Sequence, residues 1–123
     1  MPSTVQTVLV TPDLDRLQRF YARLVGAVDT SRVPEEGPVF YQGLRIGDSD
    51  VGLVADGSVP TGRGGRVLLS IGVDDVEALV PLVPGLGGRV TGGPTDMPWG
   101  QRVLHVEDPD GNAVNLTQEL EVR

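Results

Sequence analysis

VLVTPDLDRLQRFYARLVGAV, residues 8–28, reads as a strand, an acidic turn, a helix and a closing glycine, and SIGVDDVEALVPLVPGLGGRV, residues 70–90, repeats that reading sixty-two positions later. Val8-Leu9-Val10 answers Ser70-Ile71-Gly72, Asp13-Leu14-Asp15-Arg16-Leu17 answers Asp75-Val76-Glu77-Ala78-Leu79, and Gly26 falls opposite Gly88. Two copies are too few for a solenoid, which needs at least three. They predict a pseudo-symmetric fold enclosing a cavity between its halves, the place to look for function.

Outward from the first copy, Val5 to Val10 is the expected first strand. Thr11-Pro12-Asp13 opens the helix, with Thr11 as cap, Pro12 at the first helical position and Asp13 at the positive end of the dipole. Leu14, Leu17, Phe20, Tyr21 and Leu24 recur at helical spacing, which makes Phe20 and Tyr21 core residues, and Gly26 closes the helix. Thr30 to Gly37 is polar and reads as a loop. Val39 to Ile46 and Val51 to Ala55 read as strands around Gly47-Asp48-Ser49-Asp50.

Module one thus runs over about 1–56, a glycine-rich linker over about 57–65, and module two over about 66–123, all within one domain. In the second copy Arg66 to Gly72 is the expected strand, and Asp74 with Glu77 has the spacing of a capping box. Pro81 should break or shorten the following helix near Val83. Arg89 to Val90 starts a weak strand, Thr91 to Gly100 is a loop, and Gln101 to Val106 with Ala113 to Gln118 form a closing hairpin around Asp108-Pro109-Asp110-Gly111-Asn112.

Composition removes much chemistry. The 123 residues hold no cysteine, no lysine and a single histidine, His105. Disulfides, thiolate nucleophiles, zinc-thiolate sites, lysine Schiff bases and His-rich metal clusters are therefore excluded. A net charge of −7 with unclustered arginines argues against nucleic acid, and suits either a cationic small molecule or simple solubility. No apolar run approaches a membrane span and no signal peptide opens the chain, so a cytoplasmic protein is expected, with no membrane partner.

The opening Pro12-Asp13-Leu14-Asp15-Arg16-Leu17 with Phe20-Tyr21, the internal repeat, and Asp108-Pro109-Asp110-Gly111-Asn112 before a last strand together resemble the vicinal oxygen chelate superfamily, which holds glyoxalase I, extradiol dioxygenases and the bleomycin-resistance proteins. The resemblance spans nearly the whole chain. It implies an α+β fold of two βαβββ modules forming a curved mixed sheet around a central cavity. It also implies a metal held at one strand position in each module and at the last strand of each, positions that fall here on Gln6, Leu68, Gly52 and Asn115.

Leucine and glycine offer no lone pair, and two amides bring no charge, so the expectation is a chain with no metal site and no cofactor. A non-standard site built from His105 and Glu107, on one strand face at i, i+2, lacks a third ligand. Strand alternation puts Leu9, Leu53, Val67, Leu69, Ile71, Val114 and Leu116 under the helices. It turns Gln6, Val8, Val10, Gly52, Val54, Leu68, Ser70, Asn115 and Thr117 to the opposite, cavity-lining face. Tyr41, Arg45, Val103 and His105 join them if Phe40, Leu44, Ile46, Leu104 and Val106 take the core side.

Trp99, the only tryptophan, stands in Met97-Pro98-Trp99-Gly100 and is either a stacking platform for a flat or cationic ligand or a plug of the sheet edge. Pro98-Trp99-Gly100-Gln101-Arg102 resembles the corresponding piece of the bleomycin-resistance branch, where an aromatic lines the drug groove. Arg102 is expected to tie down Asp108 or Asp110. The ligand-binding candidates are Gln6, Tyr41, Arg45, Gly52, Leu68, Trp99, His105 and Asn115. The functional expectation is a metal-free binder of an aromatic or cationic metabolite or antibiotic, working as a homodimer. Its alternatives are a glyoxalase- or dioxygenase-like enzyme, or a metal-independent lyase or isomerase acting through Tyr41, His105 or a carboxylate. No catalytic residue is assigned.

Overall fold

The apolar stripe Leu14, Leu17, Phe20, Tyr21 and Leu24 is buried to the last residue, and this stripe organises the first of two compact units, divided after Thr61. The computed structural model describes residues 5–61 and 67–120. The expected linker falls partly, and the expected strand start at Arg66 wholly, outside the described residues.

In the first unit β1 (Thr7–Thr11) leads to α1 (Leu14–Val25), then β2 (Val28–Val33), β3 (Tyr41–Ile46) and β4 (Ser49–Ala55). The sheet order is β1-β4-β3-β2, with β1 parallel to β4 and the other pairs antiparallel. Asp13, not Thr11, caps α1: its carboxylate accepts from the Arg16 N–H at 3.1 Å, while the Thr11 hydroxyl accepts from the Asp13 N–H and so shapes the turn before the helix. Pro12 accordingly lies outside the helix. Gly26 ends it at φ +74°, a left-handed conformation that a side chain would strain. Phe20 and Tyr21 pack edge to face at 5.1 Å in the core.

β2 occupies part of what reads as a loop in the sequence. Every one of its residues is exposed, so it carries no alternation, and a bulge interrupts its pairing with β3 between Asp29 and Arg32. Edge pairing through the backbone holds such a strand, helped by the Gln42 amide, which donates to the Ser31 carbonyl, and the Gln18 amide, which donates to the Asp29 carboxylate.

The second unit repeats the plan with β5 (Leu68–Gly72), α2 (Val76–Leu79), α3 (Leu82–Gly85), β6 (Arg89–Asp96), β7 (Gln101–Glu107) and β8 (Ala113–Glu119), in sheet order β5-β8-β7-β6. Each unit is therefore a βαβββ module with a four-stranded mixed sheet, and the fold is α+β. The helix of this copy is split in two at Pro81, as a proline at that depth requires. Asp75, one residue beyond the expected cap, accepts from the Glu77 and Ala78 N–H groups. β6 extends the expected two-residue strand to Asp96, again as a bulged edge strand.

Asp108 organises the β7–β8 turn by accepting from the Asp110 and Asn112 N–H groups and from the Asn112 side chain. Leu53, Val114 and Leu116 sit in the core as expected, with Leu44, Leu104 and Val106. Leu9, Ile46, Leu69 and Ile71, also expected there, are only half-buried, and Val103, expected on the open face, is buried. Two further expected core residues are exposed. Val67 precedes β5 and is 76% exposed, and Phe40 precedes β3 and is 59% exposed, because neither lies in the pleat that the alternation assumed. Among the described residues no helix is long and apolar enough to cross a membrane.

Candidate functional site

Both sheets carry one face against their helices and one face without. On the open face of the first unit, β1 pairs with β4 so that Val8 stands opposite Gly52, and β3 pairs with β4 so that Gly43 stands opposite Gly52 from the other side. The middle of this face is thus bare backbone. The Tyr41 ring covers it: a methyl group at position 52 would lie 2.7 Å from a ring carbon and 2.9 Å from the phenol oxygen. The Gln6 amide donates to that oxygen at 3.0 Å and fixes the ring across the strands. Gln6, Tyr41 and Gly52, separate in sequence, therefore form one unit of structure.

Arg45 stands apart from them. Its Nε and Nη2 bond the two carboxylate oxygens of Asp50 at 3.1 Å each, across the β3–β4 hairpin. A forked pair of this kind satisfies the guanidinium where it stands.

The second unit fills the equivalent positions with polar side chains. Register places Ser70 of β5, Asn115 of β8 and His105 of β7 in one row across the open face, and Gly92 of β6 ends the row. His105 Nδ1 and Asn115 Oδ1 are 2.7 Å apart. Leu68 lies one step along the same face and is exposed. Glu107, two residues beyond His105, pairs with Arg89 at 2.8 Å instead of converging on the imidazole. Among the described residues no three His, Asp or Glu side chains gather into a metal-binding cluster.

Trp99 lies at the edge of this unit, in the turn between β6 and β7, and is 67% exposed. With that exposure the indole is not packed into the core of its own unit. The indole N–H donates to Gln101 Oε1 at 3.0 Å, and Gln101 in turn donates to the Glu119 carboxylate at 2.9 Å. A cleft of about 310 Å³ bounded by Gly72, Val73, Asp74, Thr117, Gln118 and Glu119 shares Glu119 with this chain of bonds.

Arg102 does not reach Asp108 or Asp110. It bonds Asp96 through Nε at 2.6 Å and Glu77 through Nη1 at 3.0 Å, tying the edge strand and the α2 helix to β7, while Asp108 accepts from the residues of its own turn. The hydrogen bond from Arg102 holds the Asp96 carboxyl below the usual carboxylate range, and the same contact raises the guanidinium.

Of the four positions that the family resemblance assigns to a metal, Gly52 and Leu68 carry no donor atom. Gln6 is bonded to Tyr41 and the Asn115 oxygen to His105. This donor set does not fit a divalent cation, which asks for carboxylate or imidazole. Neither the Tyr41 cover on Gly52 nor the Asn115–His105 bond was read from the sequence; the second follows from strand register once the β7–β8 hairpin is aligned, whereas the first is a diagonal contact set by the ring's rotamer.

A family model described as the glyoxalase/bleomycin resistance protein/dioxygenase superfamily matches residues 3–116. The chain is 31% identical over 122 residues to a lactoylglutathione lyase of Haemophilus influenzae, covering 93% of this chain and 90% of that protein. Its fold matches that of TioX from Micromonospora sp. ML1 with a TM-score of 0.74 at 24% identity, over 97% of this chain and 100% of that one. It also matches the fosfomycin resistance protein FosX from Mesorhizobium loti with a TM-score of 0.72 at 16% identity, over 96% and 92% of the two chains.

Proposed function

The chain belongs to the glyoxalase/bleomycin resistance protein/dioxygenase superfamily, and from that premise we propose that it is a metal-free binding protein for a small aromatic, cationic metabolite or antibiotic, acting as a homodimer. The observation that carries the reading is the exposed indole of Trp99, oriented by Gln101 and lying on a chain of bonds that ends in the Glu119 carboxylate. An aromatic face stacks on a flat ligand, and both that face and the acidic groups Asp74 and Glu119 around the neighbouring cleft attract positive charge. The net charge of −7 adds a long-range attraction of the same sign. The donor-poor set Gln6, Gly52, Leu68 and Asn115 supports the metal-free part of the proposal.

Elemental analysis of purified protein, paired with titration of a panel of aromatic ammonium compounds followed by Trp99 fluorescence, tests it. Saturable quenching without stoichiometric metal is expected. One tightly held transition metal per chain, or a flat response across the panel, would refute it.

The lactoylglutathione lyase relative brings a second reading, a glyoxalase-type enzyme. Against it stand the two positions without donor atoms. Turnover of lactoylglutathione by the purified protein would favour this enzyme reading over the first.

A further inference from the structure

We infer that His105 presents Nε2 as a fixed hydrogen-bond acceptor on the open face of the second unit, and that the ligand places a hydroxyl or N–H donor there. The inference rests on the binding reading above and adds the ligand's donor group to it. With the Asn115 amide turned so that Oδ1 faces His105 Nδ1 at 2.7 Å, the carbonyl oxygen has only lone pairs to offer, and this orientation places the proton on Nδ1. In the neutral ring this leaves Nε2 unprotonated, with its lone pair available. Among the described residues nothing bonds Nε2. Glu107 is engaged by Arg89 and does not compete for the ring.

The repeat shows that the pair is not needed to build the module. His105 stands opposite Asn115 in the second unit, and the matching cross-strand pair in the first is Gly43 opposite Gly52. The same register folds with no side chains at either position there. Gly92 at the end of the row leaves the far side of the imidazole uncrowded, since even a methyl group there would lie 3.5 Å from the ring Cδ2. A histidine held in one tautomer beside an open backbone position is arranged to receive a donor. Its neighbours in the row, Ser70 and Asn115, contribute polarity without charge.

Because His105 is the chain's only histidine, ¹⁵N-resolved NMR of the imidazole reads this ring alone. At alkaline pH the Nδ1–H tautomer is expected, lost in Asn115→Ala and restored in Asn115→Asp, which keeps the accepting oxygen. Titration then compares 2-naphthol with 2-methoxynaphthalene, which differ only in the donor. 2-Naphthol should move the Nε2 resonance and bind the native protein about 5- to 10-fold more tightly than it binds His105→Leu, the effect of one hydrogen bond. The methyl ether should bind both alike.

An Nε2–H tautomer in the native protein would overturn the inference. Equal quenching of Trp99 by both compounds with an unmoved imidazole would overturn it too, while leaving the binding reading in place. Quenching by neither while an aromatic ammonium compound still quenches Trp99 would overturn the inference alone, and a flat response to the ammonium compounds as well would defeat both.

Discussion

Placing a methyl group at position 52 tests the geometry of the first unit's open face. The Cβ of Gly52→Ala would stand 2.7, 2.9 and 3.1 Å from three atoms of the Tyr41 side chain, so the ring must swing away and release the Gln6 amide. Overpacking of this kind costs about 1–3 kcal/mol. Alanine recovers roughly 0.5–1 kcal/mol by losing less backbone entropy than glycine in a strand, which leaves a net loss near 1 kcal/mol. In a Tyr41→Ala background the obstacle is gone and only the gain remains. The two substitutions should therefore couple by about 1–3 kcal/mol in a double-mutant cycle followed by urea melting, well above the roughly 0.3–0.5 kcal/mol scatter of independent sites. Additivity within that scatter would refute the cover of Gly52 by Tyr41.

Three further outcomes follow from the same contacts. Trp99→Ala should cost no more than about 2 kcal/mol, since only a third of the residue is buried, against the roughly 3–5 kcal/mol of a core aromatic; a thermal melt distinguishes the two. Asp108→Ala, which removes three accepted hydrogen bonds in a buried turn, should cost about 2–4 kcal/mol in a denaturant melt. Asp96 has a depressed carboxyl in the folded chain, so its contribution is present above the unfolded value of about 3.9 and fades as pH falls through the folded one. Arg102→Gln should therefore be less stable than the native protein at neutral pH, with the gap in melting temperature narrowing below about pH 4.

The repeat made the modular plan readable, because the α1 stripe and the strands β4, β7 and β8 bury apolar side chains at regular intervals. Wherever burial stopped, so did legibility. β2 is exposed along its whole length, and β6 is exposed or at most half-buried, so neither leaves a two-residue hydrophobic rhythm to find. The two helix starts were found within a residue or two, but the true caps are Asp13 and Asp75, where the choice among adjacent polar residues depends on the turn that delivers the chain.

In the candidate site, alternation identified which residues share the open faces. It did not say what they touch. That Tyr41 lies over Gly52, that Arg45 is consumed by Asp50 and that Arg102 reaches Asp96 and Glu77 are diagonal and cross-element contacts, set by rotamer and twist. Trp99 was visible as an unusual residue, but its exposure is a property of the turn's path.

The proposed function requires a small cationic aromatic to bind through Trp99 without a metal. The most direct measurement is a fluorescence titration of the native protein with an aromatic ammonium ligand selected from the panel, performed with and without excess chelator. Saturable quenching of the single tryptophan with the same affinity in both conditions is expected. An affinity that collapses on chelation and returns with added divalent metal would contradict it.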